Sequence, residues 1–284
     1  MADDAPFRSG FATLIGRPNV GKSTLLNAIL GEKVSIVSDK AQTTRMPVRG
    51  VLNRPGTQLV FVDTPGIHKP VSALGERLNQ HAKVSIGDVD VVCFVVDAGK
   101  PFGRGDLYVA DRLSRDSVCV INKIDAVPKG TVLKQLQKAG ELDLSAYFPL
   151  SALTGEGVEV FVEHLLARLP EGPAYYPEDM VSDLDDAAWV AELVREQLFM
   201  LTREELPYSI ATQVTEIEWP RIRCEIIVER ASQKGMVIGR GGALLKQVGI
   251  AVREQLREGA FLELFVRIDP EWQHKPAAVR RLGY

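Results

Sequence analysis

The stretch Gly16-Arg17-Pro18-Asn19-Val20-Gly21-Lys22-Ser23 decides the fold of the first part of this chain. It matches the phosphate-binding pattern G-x-x-x-x-G-K-[ST]. The apolar run 11–15 before it predicts a buried strand, and residues 23–30 after it predict a helix that Gly31 ends. A strand, a glycine-rich turn and a helix N-terminus together surround a polyphosphate with backbone N–H groups. Lys22 is expected to reach the β- and γ-phosphates, the Ser23 hydroxyl to ligate Mg²⁺, and Thr24 to complete the phosphate site.

A second motif, Asp63-Thr64-Pro65-Gly66, follows the apolar run 59–62. A carboxylate at the C-terminal end of a strand holds a Mg²⁺ shell through water, and Gly66 has no Cβ to keep its N–H from the γ-phosphate. Taken alone, this tetrapeptide is equally an ordinary turn. Its place after a phosphate-binding loop favours a metal and phosphate site.

A third motif, Asn122-Lys123-Ile124-Asp125, follows the apolar run 117–121 and predicts the recognition of guanine. Asp125 would accept hydrogen bonds from guanine N1–H and N2–H₂, a donor pair that adenine lacks. Asn122 is expected to support this loop, and the Lys123 stem to pack along the base. A fourth segment, Ser151-Ala152-Leu153, is expected to offer a backbone N–H to guanine O6. The alternative for the third motif is a capped loop.

The polar stretch 32–45 is long for a loop in a compact domain and occupies the first switch position. A threonine hydroxyl there would complete the Mg²⁺ shell in the triphosphate state only. Thr44 is the predicted ligand, with Thr43 as the alternative, so the predicted metal set is Ser23, Thr44 and Asp63. Ile67 stands where Ras-like enzymes carry a water-orienting glutamine, so hydrolysis is expected to be slow without a stimulator.

The order of these motifs predicts an α/β P-loop GTPase domain with a mostly parallel sheet and helices on both faces. The expected cofactors are GTP or GDP and Mg²⁺. The motifs follow strands at their C-terminal ends, where open α/β sheets bind ligands. The predicted strands lie around Thr13, Val51, Val60, Val92, Val120 and Phe148.

Length and composition indicate two domains in a reduced, cytoplasmic protein. The chain has 284 residues, and its three cysteines lie singly inside apolar runs. The N-terminus does not resemble a signal peptide, and the chain has no run of 18 apolar residues. Three prolines and a glycine in segment 169–177 predict a stiff, extended linker. The predicted division is a GTP-binding domain over 1–172, a linker over 173–183 and a second domain over 184–284.

The second domain has an uneven charge. Residues 178–220 carry a net charge of −9 and residues 221–284 a net charge of +5. Within the basic part, Gly239-Arg240-Gly241-Gly242 precedes a helical pattern over 243–250, and strand-like runs occupy 208–214, 223–228 and 262–268. A G-x-x-G loop between two helices beside three strands predicts an α+β KH domain, whose loop clamps single-stranded nucleic acid. A simple helix-start turn is the alternative for the loop alone. The expected RNA contacts are Arg230, Lys234, Ile238, Gly239, Arg240, Gly241, Gly242 and Lys246.

These motifs together resemble the Era family of bacterial GTPases, which act in maturation of the small ribosomal subunit. The resemblance covers nearly the whole chain, because it includes Gln42-Thr43-Thr44-Arg45, segments 204–208 and 229–235, and the terminal Arg281-Leu282-Gly283-Tyr284. It implies a type II KH domain that binds the 3′ end of small-subunit ribosomal RNA, with GTP hydrolysis timing release. It leaves open a peripheral association with the inner face of the cell membrane. A monomer is expected.

The resemblance also bears on catalysis. In GTPases with this loop pattern, the residue at Asn19 ligates a K⁺ ion that partly replaces an arginine finger, and a loop-stabilising role is the alternative. The predicted catalytic set is therefore Asn19, Lys22, Ser23, Thr44 and Gly66. Two other functions stay open. One is a membrane-associated or tRNA-modifying GTPase whose C-terminal domain binds a protein partner, and the other is a GTP binder with negligible turnover.

Overall fold

The computed structural model describes residues 6–40, 43–63, 72–78, 80, 89–203 and 205–284. These residues form two compact units, one built mainly from the chain up to Asp183 and the other mainly from Leu184 onward. The predicted linker, residues 173–183, belongs to the first unit. Gly66, a predicted site residue, lies outside the described residues.

The first unit is a six-stranded sheet flanked by helices. The strand order is β2-β3-β1-β4-β5-β6, with β2 antiparallel to β3 and the other neighbours parallel. The six predicted strands and the mostly parallel sheet are therefore confirmed. The elements are β1 (Arg8–Ile15), α1 (Lys22–Leu30), β2 (Val48–Arg54), β3 (Thr57–Asp63), β4 (Val91–Asp97), α2 (Arg104–Ala110), β5 (Val118–Asn122), α3 (Lys129–Gly140), β6 (Ala146–Pro149) and α4 (Val158–Ala167).

The two faces of this sheet are covered by different helices. Leu14 packs into a cluster with α1 and α4, whereas its neighbour Ile15 packs into a second cluster with α2 and α3. Strand β5 is buried along its whole length. Central strands that are buried on both faces form continuous apolar runs, and this is why the sequence showed runs rather than alternation.

Segment 173–183 lies along the sheet. Its backbone pairs with the edge strand β2, because Val51 N donates to Val181 O at 2.9 Å and residues 50 and 182 form an antiparallel bridge. Gln58 is completely buried, and its Oε1 accepts from the N–H groups of Tyr175 and Tyr176 at 2.7 and 3.0 Å. The segment is not extended throughout, because it bends at residues 175–176 and turns over 177–180, where Met180 N donates to Pro177 O at 3.1 Å. The contacts with Val51 and Gln58 fix it to the first unit.

The second unit has a three-stranded sheet of order β7-β8-β9, with β8 antiparallel to β7 and parallel to β9. Its elements are α5 (Asp186–Leu201), α6 (Leu206–Ser209), β7 (Ala211–Glu218), β8 (Arg221–Val228), α7 (Ala231–Ile238), α8 (Ala243–Arg253), β9 (Phe261–Ile268) and α9 (Pro276–Arg281). This arrangement is the predicted α+β KH fold.

One predicted boundary in the second unit is wrong. The strand that was expected from residue 208 begins at residue 211, because residues 206–209 form a helical turn. Pro207 lies in the first positions of that turn, where its fixed φ suits a helix. The Ser209 hydroxyl donates to Leu206 O at 3.0 Å and closes the turn locally.

Both units have hydrophobic cores. Cys93, Cys119 and Cys224 are buried and free, as predicted. Trp272 is completely buried in the second unit and donates from its indole nitrogen to Ser209 O at 2.9 Å. Over the described residues, none of the helices has the length and apolarity that a bilayer crossing requires.

Candidate functional site

The loop between β1 and α1 has backbone angles that suit a phosphate cradle. Gly16 and Gly21 have φ values of +155° and +95°, and Asn19 has +65°. A Cβ on Gly16 would come within 2.3 Å of Val95 O, and one on Gly21 within 2.3 Å of Asn122 Nδ2. Both glycines are therefore required by the fold as well as by their φ values. The pocket above this loop is lined by Pro18, Asn19, Gly21, Lys22, Ser23, Thr24, Ile36, Val37, Ser38, Thr43 and Thr44.

Lys22 is held across the loop. Its Nζ donates to Arg17 O at 3.1 Å and lies 3.4 Å from Gly16 O, and the side chain is buried. Burial lowers the pKa of the Lys22 ammonium to about 8, against the opposing influence of the Asp63 carboxylate. A polyphosphate that entered the site would bring negative charge to this buried ammonium and favour its protonated form.

The three predicted metal-site residues come together. Asp63 Oδ2 accepts from Ser23 Oγ at 2.9 Å and lies 3.4 Å from Thr44 Oγ1, and these two hydroxyl oxygens are 3.1 Å apart. Thr43 is turned away, since its hydroxyl donates to Lys40 O at 2.7 Å. Of the two threonines, Thr44 is therefore the one at the cluster.

Asp63 is completely buried, and its other oxygen, Oδ1, has no hydrogen-bond partner within the described part of the chain. Burial raises the pKa of this carboxyl, while Lys22 and the hydroxyl hydrogen bonds oppose the rise. A buried carboxylate oxygen without a partner is costly. The donor set of one carboxylate and two hydroxyls therefore fits Mg²⁺, which prefers oxygen ligands and keeps several waters.

Asn122 joins the phosphate loop to the loop after β6. Its Nδ2 donates to Val20 O at 2.9 Å, and its Oδ1 accepts from Lys123 N at 2.7 Å and Ala152 N at 2.9 Å. The side chain is 1% exposed. One amide thus holds three segments in register, in line with its expected supporting role.

Lys123 and Asp125, which are expected to contact the base, each have a protein partner in this structure. Lys123 has φ +67°, and its Nζ donates to Asn19 O at 2.6 Å and Asp97 Oδ2 at 2.8 Å. Asp125 is exposed, and its Oδ1 accepts from the buried Ser151 hydroxyl at 2.5 Å. The Leu153 side chain is 79% exposed, so its contribution to a base site would come from the backbone or from cover over the base.

Two loop residues have partners that the motif did not indicate. The Asn19 amide nitrogen donates to Asp39 O. Arg17 forms an ion pair with the buried Asp106, from Nε to Oδ1 at 2.7 Å, and a Cβ on Gly105 would come within 2.7 Å of Arg17 Cδ. The Arg17 side chain therefore extends to the start of α2, and phosphate contacts at this position are left to the backbone.

Sequence reasoning missed one residue of the cluster. The buried Ser35 hydroxyl donates to Asp63 Oδ2 at 2.9 Å. Ser35 belongs to no motif, and only its place in the switch stretch could have indicated it.

In the second unit, residues 239–242 form a tight loop between α7 and α8. Gly239, Gly241 and Gly242 have φ values of +73°, +59° and +79°. A Cβ on Gly239 would lie 2.9 Å from Leu244 N, whereas Gly241 and Gly242 face open space. Gly239 is thus needed for the fold itself, and the other two leave room for an approaching backbone.

The cations near this loop differ from those on the sheet. Arg223 pairs with Glu216 and Glu263, and Arg267 pairs with Glu225. In contrast, within the part of the unit that the structure describes, no carboxylate lies at ion-pair distance from the four predicted RNA-contacting cations, which are Arg230, Lys234, Arg240 and Lys246. Ile238, the apolar residue among the predicted RNA contacts, is half-buried at the end of α7.

Comparison with known proteins supports the assignment of both units. Residues 11–123 match the family described as 50S ribosome-binding GTPase, and residues 205–273 match the KH domain family. The GTPase Era of Nostoc sp. is 44% identical, covering 98% of this chain and 90% of the relative. That of Geobacter metallireducens is 43% identical over 99% of both chains.

A solved structure extends the similarity to three dimensions. It shows Era in complex with MgGDPNP and nucleotides 1506–1542 of 16S ribosomal RNA, with a TM-score of 0.94, 40% identity, and coverage of 98% of this chain and 99% of that one. Because relatives of this identity span almost its whole length, the chain belongs to the GTPase Era family and is a GTPase with a C-terminal KH domain.

Proposed function

We propose that this GTPase binds GTP with Mg²⁺ at the cluster of Ser23, Thr44 and Asp63, and binds the 3′ end of small-subunit ribosomal RNA through its KH loop. GTP hydrolysis would time the release of the protein from the small ribosomal subunit during assembly. The observation that carries the proposal is that the hydroxyls of Ser23 and Thr44, which are 40 and 19 residues from Asp63 in sequence, converge on one buried oxygen of its carboxylate.

Each residue has a role that follows from its position. The Ser23 and Thr44 hydroxyls would ligate the ion, and Asp63 would hold its water shell through Oδ1, which has no hydrogen-bond partner among the described residues. Lys22 would place its charge on the β- and γ-phosphates, and the backbone of residues 16–21 would cradle them. Mg²⁺, when bound, neutralises charge that develops on the phosphate oxygens.

Guanine would be read on the other side of the phosphate loop. Asp125 would exchange its hydrogen bond from Ser151 for those from the base, because the base offers two donors to the carboxylate. Ala152 N is already used by Asn122 and Ser151 N by Glu156 O, so the backbone N–H that reaches guanine O6 would have to come from Leu153 or through rearrangement.

Potassium dependence stays a prediction. The Asn19 nitrogen donates to Asp39 O, so only the amide oxygen would face a cation. Slow basal hydrolysis also stays a prediction, since Ile67 and Gly66 lie outside the described residues. Initial rates of GTP hydrolysis in matched K⁺ and Na⁺ buffers would test the first point, and equal rates would remove it.

RNA binding is supported by the cations Arg230, Lys234, Arg240 and Lys246, for which the described residues supply no carboxylate at ion-pair distance. Phosphate contacts release counterions, and each contact to a single strand contributes about 0.7 to the slope of log affinity against log salt. A cation already neutralised by a carboxylate contributes less. The proposed location is cytoplasmic because the proposed RNA partner is there, while membrane association and a monomeric state stay predictions.

The test is a titration of the full chain with a labelled oligonucleotide of the 3′ end of small-subunit ribosomal RNA. Replacing Arg240 and Lys246 by alanine is expected to weaken binding and lower the salt slope by about 1.4. Arg221→Ala is the matched control, because this exposed cation has Glu263 at 3.9 Å. A double variant that binds with wild-type affinity and slope would contradict the KH assignment of function. GTP affinity, measured in parallel, tests the nucleotide site separately.

A further inference from the structure

The start of the switch stretch is clamped to helix α1. Asn27 Oδ1 accepts from the N–H groups of Val34 and Ser35, both at 3.0 Å, and Asn27 Nδ2 donates to Ser35 O at 2.8 Å. One side chain therefore uses its donor and acceptor on two consecutive backbone units. Val34, Ser35 and Ile36 are 5%, 3% and 2% exposed, so this part of the stretch is as buried as a core strand.

The clamp places one hydroxyl on the metal-site carboxylate. Ser35 Oγ donates to Asp63 Oδ2 at 2.9 Å, the same distance as Ser23 Oγ. Thr44 Oγ1 reaches that oxygen less closely, at 3.4 Å. Ser23 and Thr44 are the proposed ligands of the ion, so their hydroxyls would be shared between the metal and the carboxylate. Ser35 has no such second task.

We propose that Ser35, held by Asn27, is a positioning residue that orients the Asp63 carboxylate for Mg²⁺. This inference rests on the proposed magnesium-dependent GTP site. Its physical basis is that a carboxylate rotates about one bond, and a donor fixed on Oδ2 determines where Oδ1 points. Because Oδ1 has no partner among the described residues, the orientation set by Ser35 decides which atom is offered to the water shell of the ion.

The same hydrogen bond gives the buried carboxylate a donor that is not itself a proposed ligand of the ion. Outer-shell donors of this kind typically change metal affinity by about 10- to 100-fold when they are removed.

The experiment measures coupling between Mg²⁺ and nucleotide at equilibrium. A fluorescent, non-hydrolysable GTP analogue is titrated into the full chain at a series of free Mg²⁺ concentrations and in EDTA. For Ser35→Ala we expect the Mg²⁺ midpoint to rise about tenfold, with nucleotide affinity in EDTA within twofold of wild type. Asn27→Ala is expected to shift the midpoint in the same direction, and the double variant to add little to either single change.

Two comparisons separate positioning from a merely structural role. Ser35→Thr keeps the hydroxyl and is expected to restore the midpoint toward wild type. Ser9→Ala is the matched control, because it removes another buried hydroxyl. Ser9 lies on β1, and its Oγ donates to Pro173 O at 2.6 Å. It should leave the midpoint unchanged. A Ser35→Ala midpoint within twofold of wild type would overturn the inference, as would an equal loss of affinity with and without Mg²⁺. If wild-type binding itself ignored Mg²⁺, the proposed function would fail instead.

Discussion

Replacement of Asn122 by alanine is expected to destabilise the first unit and to weaken GTP binding together. The side chain forms three hydrogen bonds of 2.7 to 2.9 Å, to Val20 O, Lys123 N and Ala152 N. Alanine supplies none of them. Val20 and Ala152 are 2% and 6% exposed, so their backbone groups would have little access to water.

The magnitude follows from counting these groups. A typical hydrogen bond contributes about 1 kcal/mol, and a buried group left without a partner costs about 1–3 kcal/mol. With two strongly buried groups and one at the mouth of the site, the free energy of unfolding should fall by about 2–4 kcal/mol. The loops at residues 16–23 and 151–153 would lose their common anchor, and GTP affinity should fall by at least roughly tenfold, or about 1.4 kcal/mol.

The assay can distinguish the two units because all three tryptophans, Trp189, Trp219 and Trp272, lie in the second one. Urea unfolding followed by tryptophan fluorescence reports that unit, whereas circular dichroism at 222 nm reports both. Asn122→Ala should lower the urea midpoint of the first unit, which circular dichroism reports. The midpoint that tryptophan fluorescence reports for the second unit should stay unchanged.

Gln135→Ala is the matched control for this prediction. Gln135 is a buried amide of the same unit, and its Nε2 donates to Lys100 O at 2.7 Å, outside the described site. The Gln135→Ala protein should be less stable than wild type and should bind GTP with wild-type affinity. An Asn122→Ala protein with wild-type GTP affinity would refute the reasoning that this amide anchors the site, and wild-type stability would refute the count of unsatisfied groups.

Three further outcomes are expected. Asp125→Asn should favour xanthosine triphosphate over GTP by about 1.5–3 kcal/mol in competition binding, because asparagine donates to the 2-oxo group of xanthine, and unchanged GTP affinity would show that the base is read elsewhere. GTP affinity, measured from pH 6.5 to 9.5, should fall as the pH rises through about 8. Lys22 of the free protein loses its proton there, whereas bound triphosphate would raise the pKa of Lys22 and keep it charged. A flat pH profile would contradict this prediction. Gly239→Ala should destabilise the second unit more than Gly241→Ala in fluorescence-detected unfolding, since only the first places a Cβ 2.9 Å from Leu244 N, and equal effects would show that φ alone matters.

The nucleotide-site motifs could be predicted because each is a short local pattern with its own chemistry. The strand before each motif is a buried apolar run, and the topology of a parallel sheet brings the ends of those strands to one edge. The convergence of Ser23 and Asp63 follows from that rule alone. The choice between Thr43 and Thr44 does not, because a loop has no periodicity that would indicate which hydroxyl faces the site.

Sequence reasoning could not predict the contacts between segments that are far apart along the chain. Ser35 and Arg17 have partners 28 and 89 residues away, and no motif links either pair. At residue 208 a β-prone run predicted a strand, but the local helical turn over 206–209, which contains Pro207, forms there instead. The glycine loop was identified correctly, but Gly239 is also required by packing against Leu244, which its motif does not indicate.

Segment 173–183 is attached to the first unit up to its last residue. Its prolines suggested a spacer, yet its last residues are fastened to β2: Arg49 N and Nη1 donate to Asp183 at 2.9 and 3.0 Å, and Asp183 N donates back to Arg49 O at 3.2 Å. Strand β2 begins four residues after Thr44, and the second unit begins one residue after Asp183. Thr44 therefore precedes the N-terminal end of β2, and Asp183, the residue before Leu184, is hydrogen-bonded to that same end of the strand.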